Sequence, residues 1–347
     1  MKRLILVLMV LFIFASTALM AEFNPYGSAR IGYWYNSENE DWSSTGENEL
    51  NMDYYLQSNS RFGARFNNDD VSGRVEFGGT GSIRLLYGKY KMSGWSLLIG
   101  QEQGKIEMKS KQVWGSDKNL VGWGGIDESR KPQIRIEVDN GLYLSFIQPE
   151  KVNAQGTGTN QDKKVLLPKI NLGYSGKFSE NIKFHGTFGV NHYTYNDNAG
   201  DLDQAVLAYI LGLLLDFNFD PIMFRTHFNY GQNTKHYGLN SVTPNTAIYE
   251  ESKDEIVDVT TMGGFGEFTY KMSPQTAFTV GVSYVTSNSD SFDNAESAMA
   301  AFVQIEYRLH RNFHLIPEVG YLDKMKDIND NDLGNMVYFG TQLRMDF

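Results

Sequence analysis

The sequence contains no cysteine, so disulfide frameworks, thiolate metal sites and cysteine nucleophiles are excluded. Proline is scarce, at 8 of 347 residues, whereas glycine reaches 34 and aromatics 14%. That balance is too aromatic for a disordered chain and too glycine-rich for a helical bundle. Base is also short: 31 Lys+Arg stand against 41 Asp+Glu, a formal charge of −10. An acidic surface argues against nucleic acid as a partner. No apolar run is long enough to span a bilayer as a helix, and mean hydropathy is −0.38. A polytopic helical membrane protein is therefore excluded.

What is present begins with an address. Lys2 and Arg3 precede an apolar run from Leu4 to Ala15, and small residues lead to Ala21. Residues 1–21 are expected to be a secretory signal peptide cleaved after Ala21. Its removal leaves a chain of −12, and a secreted chain without cysteine fits a bacterial envelope.

From residue 25 onward no convincing amphipathic helix is found. Segments of about ten residues alternate apolar with polar or small, the period of a strand. The last is the clearest: Val337, Phe339, Thr341, Leu343, Met345 and Phe347 share one face, and Tyr338, Gln342, Arg344 and Asp346 the other. Sixteen such segments can be counted, at 25–35, 53–66, 71–80, 82–92, 95–103, 132–139, 141–149, 165–178, 182–196, 204–219, 222–233, 256–272, 276–288, 297–310, 313–325 and 334–347. Short turns alternate with long connections, except at 80–82. An even strand number with that alternation is the layout of an antiparallel transmembrane β-barrel. A sandwich would have to bury the charged face of every strand, which is prohibitive. Turning the apolar face to lipid and the charged face to a wet lumen removes the conflict, and closure satisfies every edge. The reading is all-β, a single barrel domain over 22–347 wide enough for an aqueous channel.

Three places resemble the general bacterial porins. A strand, Tyr26–Tyr35, follows the leader at once. Ser82-Ile83-Arg84-Leu85-Leu86-Tyr87 and Gly94-Trp95-Ser96-Leu97-Leu98-Ile99-Gly100-Gln101 resemble that family's fourth and fifth strands. The chain ends in Phe347, with apolar residues two and four before it. The resemblance implies an outer-membrane homotrimer of sixteen-stranded barrels in a Gram-negative bacterium, passing small hydrophilic solutes and ions by diffusion. It implies that the barrel-insertion machinery reads Phe347, and that outer-membrane lipid and lipopolysaccharide surround the barrel. It also implies a third long loop folded into each lumen. Here that connection is 104–131, the longest of all, and it lacks the acidic Pro-Glu-Phe-Gly-type run many porins carry.

Candidate constriction residues follow from facing. Arg30, Arg61, Arg65, Arg74 and Arg84 fall on inward positions of the early strands, and Arg135 points inward just after the long loop. Guanidinium groups stay charged and are costly against lipid, so a row of them favours a wet lumen. The loop adds Glu107, Asp117, Asp127 and Glu128, outnumbered by Lys105, Lys109, Lys111, Lys118 and Arg130. Anion preference is expected. The competing reading is that the arginines merely pair with Glu76, Glu102 and Glu137.

The acid lies elsewhere. Segments 36–52, 197–203, 234–255, 289–296 and 326–333 hold 18 acids and 3 bases, a net of −15. They are read as solvated outer loops. The alternative, bridging to lipopolysaccharide by divalent cations, fails if removing Ca²⁺ and Mg²⁺ leaves barrel stability unchanged. Six scattered histidines make no closed metal site. Gly263-Gly264-Phe265-Gly266 lies in a strand without a following helix, so it eases curvature rather than cradling phosphate. No cofactor and no enzymatic activity are expected. The alternatives are a secreted or surface β-rich binding protein without a pore, or an outer-membrane enzyme using His192, read as inward. One segment resists: Ala205–Leu215 is apolar on both faces, so either a lumen insert packs on it or it is a local helix.

Overall fold

Alternation and turn chemistry give sixteen strands. The computed structural model describes residues 22–116, 120, 123–150, 152, 154, 162–196, 203–239, 242, 244–250, 253 and 255–347. The expected signal peptide, 1–21, and Asp117 lie outside the described residues. The strands are β1 Glu22–Glu38; β2 in two pieces, Glu49–Leu56 and Arg61–Asn68; β3 Val71–Gly78; β4 Ile83–Met92; β5 Trp95–Glu102; β6 Lys131–Val138; β7 Leu142–Ile147; and β8, again in two pieces, Asp162–Lys164 and Lys169–Lys177. They continue as β9 Ile182–Asn196, β10 Asp203–Phe219, β11 Ile222–Gln232, β12 Thr260–Lys271, β13 Thr276–Asn288, β14 Glu296–His310, β15 Phe313–Asp323 and β16 Asn335–Asp346. Each is antiparallel to the next, and β16 returns to β1 with Ile31 opposite Leu343. The barrel is closed at sixteen strands.

Closure is completed at the chain end. Gly27 and Phe347 exchange backbone hydrogen bonds of 2.6 and 3.0 Å. The Phe347 ring lies where a side chain on residue 27 would stand, its nearest atom 2.3 Å from an added Cβ. Glycine at 27 thus admits the terminal ring.

The two faces sort as alternation demands. Leu50, Tyr54, Phe62, Ile99, Phe228 and Met345 are exposed on the outside, whereas Glu76, Gln133, Arg135, Asn171, Glu267 and Glu318 are buried on the inside. Burial of so many polar groups requires partners within the lumen. Some of those partners are neighbours on the wall, as for Glu76 and Arg135, and others come from two long connections, 103–130 and 233–259. The second carries a small hairpin, Ile248–Glu250 with Glu255–Val257.

The doubly apolar stretch is a strand, not a helix, and its inner face is covered. Ala208 and Ile210 pack with Ile106 and Ile126 of the first connection and Tyr237 and Leu239 of the second. Val206 packs with Ala154, Tyr193, Tyr195 and Ala247. Leu207, Leu211 and Leu213 face outward. Ile210→Ala should cost about 2–5 kcal/mol, since the side chain is wholly buried and leaves a cavity. Unheated gel samples should lose the folded band at a lower temperature. An unchanged transition would show that this packing is not tight.

The expectation for His192 is corrected. Asn191 and Tyr193 are buried on the inner face, so His192 lies on the outer one, paired with exposed Leu207. A side chain turned away from the lumen cannot act on a solute inside it. Gly263 and Gly264 lie in β12, where the first connection meets the wall. An added Cβ on Gly124 would lie 2.4 Å from the Gly264 carbonyl oxygen, at a φ of 141°. Glycine there lets two backbones touch.

Candidate functional site

The 103–130 connection crosses the barrel interior. It leaves β5 and folds on itself, Met108 N–H donating to the Ile126 carbonyl at 3.0 Å. On the far wall Arg225 donates to the Lys109 carbonyl at 3.2 Å. Glu267 accepts the Lys111 N–H at 2.6 Å, and the Lys111 ammonium reaches Thr269 at 2.8 Å. Burial pushes the Lys111 pKa down, and neighbouring Glu267 opposes that. Glu318 then accepts the N–H groups of Val113 and Trp114 at 2.9 and 3.0 Å. Gln57 donates to the Val113 carbonyl, and the Trp114 indole N–H to Asn36. Trp114 stacks on Tyr338 with centroids 4.6 Å apart. The chain returns past β11, where Asn229 donates to the Gly124 carbonyl at 2.5 Å.

The return end is fixed by a buried ion pair. Lys169 of β8 meets Glu128 at 2.7 Å, and Asn171 donates to the same carboxylate at 2.7 Å. The Lys169 ammonium also donates to the His236 carbonyl at 2.6 Å and lies 3.9 Å from the Tyr237 ring centroid. Two buried charges are tolerable only when so fully partnered. The pair ties the first connection to the second.

The arginines sit on the opposite side, on β1 to β6. Arg61, Arg74 and Arg84 converge on Glu76 at 3.9, 2.7 and 2.9 Å. Tyr26 donates its hydroxyl proton to Glu76 at 2.8 Å and accepts from Arg74 Nε at 2.7 Å. Arg65 and Arg74 lie 4.9 and 5.0 Å from the Tyr26 ring centroid, a cation–π arrangement. Arg30 faces the same space, bonded to Ser28. Arg130 approaches from the loop. Burial lowers its pKa, Arg84 lowers it further, and Glu76 and Asp127 oppose. It remains charged, as arginine does.

A second cluster adjoins the first. Glu137 takes Lys89 at 2.5 Å, Lys105 at 2.9 Å and Arg135 at 3.0 Å. Arg135 also lies 3.8 Å from Glu102. The pairing with Glu76, Glu102 and Glu137 is therefore present, yet Glu76 and Glu137 each face three cations, and Glu102 shares Arg135 with Glu137. The loop acids do not balance the wall. Glu107 pairs with Lys109 of its own loop, and Glu128 with Lys169. Asp127 sets its backbone against Gly238, leaving only 2.2 Å from its carbonyl oxygen to an added Cβ.

Sequence reasoning singled out neither Tyr26 nor Glu76 as an organiser. One signal was available: Arg74 and Glu76 are two apart, hence on one face of one strand. Among the described residues, no group of three or more His, Asp or Glu is arranged to hold a metal ion.

Residues 147–346 match the profile of a family described as phosphate-selective porin O and P. No curated protein matches the chain. Solved structures share the fold at low identity. The outer membrane channel DcaP of Acinetobacter baumannii is 20% identical, with 94% of this chain and 97% of that one covered at a TM-score of 0.74. OmpT of Vibrio cholerae in its trimer form is 13% identical, with 94% and 99% covered at 0.60. An anion-selective porin from Comamonas acidovorans is 10% identical, with 94% and 100% covered at 0.58.

Proposed function

The chain belongs to the phosphate-selective porin O and P family, and from that premise we propose that its constriction is an oxyanion-preferring passage in which the 104–131 loop narrows the lumen against the wall of arginines. It is an outer-membrane porin of a Gram-negative bacterium, through which small hydrophilic solutes and ions diffuse. Inorganic phosphate is the natural probe, given the family's description.

One observation carries the anion preference. Among the described residues, seven arginines, namely Arg30, Arg61, Arg65, Arg74, Arg84, Arg130 and Arg135, with Lys89 and Lys105, outnumber the acids beside them, Glu76, Glu102, Glu137 and Asp127. A local excess of fixed positive charge in a narrow wet passage raises the local concentration of anions and repels cations. Asp117 completes the set of proposed site residues with Glu107 and Glu128. Phe347 is the proposed insertion signal. We further propose a homotrimer, with outer-membrane lipid and lipopolysaccharide around the barrels and no enzymatic role.

The test is a planar bilayer with refolded protein under a KCl gradient. Stepwise currents with a reversal potential on the chloride side are expected, and added phosphate should lower the chloride conductance in a saturable way. A reversal potential on the potassium side would show that the acidic outer loops, not the arginine wall, govern selectivity.

A further inference from the structure

A resident carboxylate stands in the middle of the basic site. The Glu76 side chain is only 1% exposed. A buried carboxylate must be paired and hydrogen-bonded, and this one is, at both oxygens. Oε1 accepts from Arg84 Nε at 2.9 Å. Oε2 accepts from Arg74 Nη2 at 2.7 Å and from the Tyr26 hydroxyl at 2.8 Å, with Arg61 Nε at 3.9 Å. These contacts use part of each guanidinium. Arg84 spends Nε on Glu76 and Nη1 on the Ser58 carbonyl; Arg74 spends Nε on Tyr26 and Nη2 on Glu76. A guanidinium has five N–H donors, so the remaining ones suit a passing oxyanion. The Arg61 side chain is 31% exposed and holds Glu76 only at the longer distance.

Resting on the oxyanion-preferring reading above, we infer that Glu76 is the specificity-setting residue of the passage: a built-in counter-ion that holds Arg61, Arg74 and Arg84 as one site and limits how tightly a permeating oxyanion is bound there. The chemistry is competition. A carboxylate and a phosphate present the same kind of acceptor oxygens to the same N–H groups. An anion that reaches Arg61, Arg74 and Arg84 meets donors already partly engaged and a charge already partly cancelled. Conduction needs binding favourable enough to enter and weak enough to leave. Without the carboxylate, the arginines would form a deep well that captures anions and releases them slowly. With it, the well is shallow and exchange is fast. Tyr26 keeps the carboxylate in place, its hydroxyl tied to Glu76 and Arg74 and its ring lying near Arg65 and Arg74.

The experiment is Glu76→Gln in full-length refolded protein, with wild type beside it. The amide keeps the shape and one acceptor while removing the charge. Two readings are taken: the KCl reversal potential, and the phosphate concentration that half-blocks chloride conductance. Removing one unit charge a few ångströms from the bound anion should lower the half-blocking concentration about tenfold. The anion-to-cation permeability ratio should rise, and the maximal chloride conductance should fall. If Glu76 serves only to hold the arginines in place, E76Q disperses them, and both phosphate block and anion preference weaken; that result overturns the inference. An unchanged half-blocking concentration in a wild-type channel that is anion-preferring overturns it too. If wild type itself prefers cations, it is the oxyanion-preferring reading that fails. Should E76Q not give a heat-modifiable folded band, Glu76→Asp replaces it, drawing the carboxylate back by one methylene with its charge kept. Its half-blocking concentration should then fall about twofold, a small share of the Coulomb effect of full charge removal; no fall sinks the proposal.

Discussion

Replacing Arg61, Arg65 and Arg130 together by glutamine should lower the anion-to-cation permeability ratio about fivefold in 0.1 M salt. The magnitude comes from screened Coulomb energies. A unit charge about 10 Å from the ion path is worth roughly 0.4 kcal/mol in water, and roughly 0.15 kcal/mol after screening at 0.1 M. Three such charges act in opposite senses on anions and cations, giving a difference of about 0.9 kcal/mol, or roughly fivefold. The choice of residues matters. Arg74 and Arg84 make the short bridges to Glu76 and stay in place, so the buried carboxylate is never left unpaired. Arg61 sits at 3.9 Å from it, and Arg65 lies over the Tyr26 ring. The effect should nearly vanish in 1 M salt, where the screening length falls to about 3 Å. An unmoved ratio at 0.1 M would mean that the wall arginines do not govern selectivity.

The strands were legible because lipid on one side and water on the other impose a period of two on every segment. The arginine wall was legible for the same reason: parity alone puts Arg61, Arg65, Arg74 and Arg84 inside. The convergence of Arg61, Arg74 and Arg84 on Glu76 was not. The ladder between β3 and β4 slips between Glu76 and Phe77, and a register shift of that kind leaves no mark in composition or period. Ala205–Leu215 defeated the period because its inner partners, Ile106, Ile126, Tyr237 and Leu239, lie far off in the chain. Similarly, the Glu107–Lys109 pair is local, whereas Glu128 finds Lys169 forty-one residues later. His192 shows the reverse case, in which the parity that buries Asn191 already placed it outside.

Releasing the tip of the crossing connection should change conductance more than selectivity. Glu267 and Glu318 accept three of its backbone N–H groups, those of Lys111, Val113 and Trp114. Hydrogen bonds to charged groups contribute about 1.5–3 kcal/mol each, so the pair of carboxylates outweighs the neutral contacts at the tip. In Glu267→Ala with Glu318→Ala, three N–H groups lose their acceptors, and residues 111–114 keep only the neutral contacts to Thr269, Gln57, Asn36 and Tyr338, which hold them against the wall less firmly. The two ends remain held: Lys105 on Glu137 at the start, Glu128 on Lys169 at the return. The segment then swings over a widened section rather than leaving the barrel. Single-channel conductance should rise at least about twofold, with added current noise, and larger neutral solutes should enter swelling liposomes faster. The anion-to-cation ratio should fall only modestly, because the arginines of β1 to β6 keep their places while their influence spreads over more water. Conductance equal to wild type, from folded and inserted protein, would mean that residues 111–114 do not set the narrowest section and that the limit lies at the Lys169–Glu128 junction with the second connection.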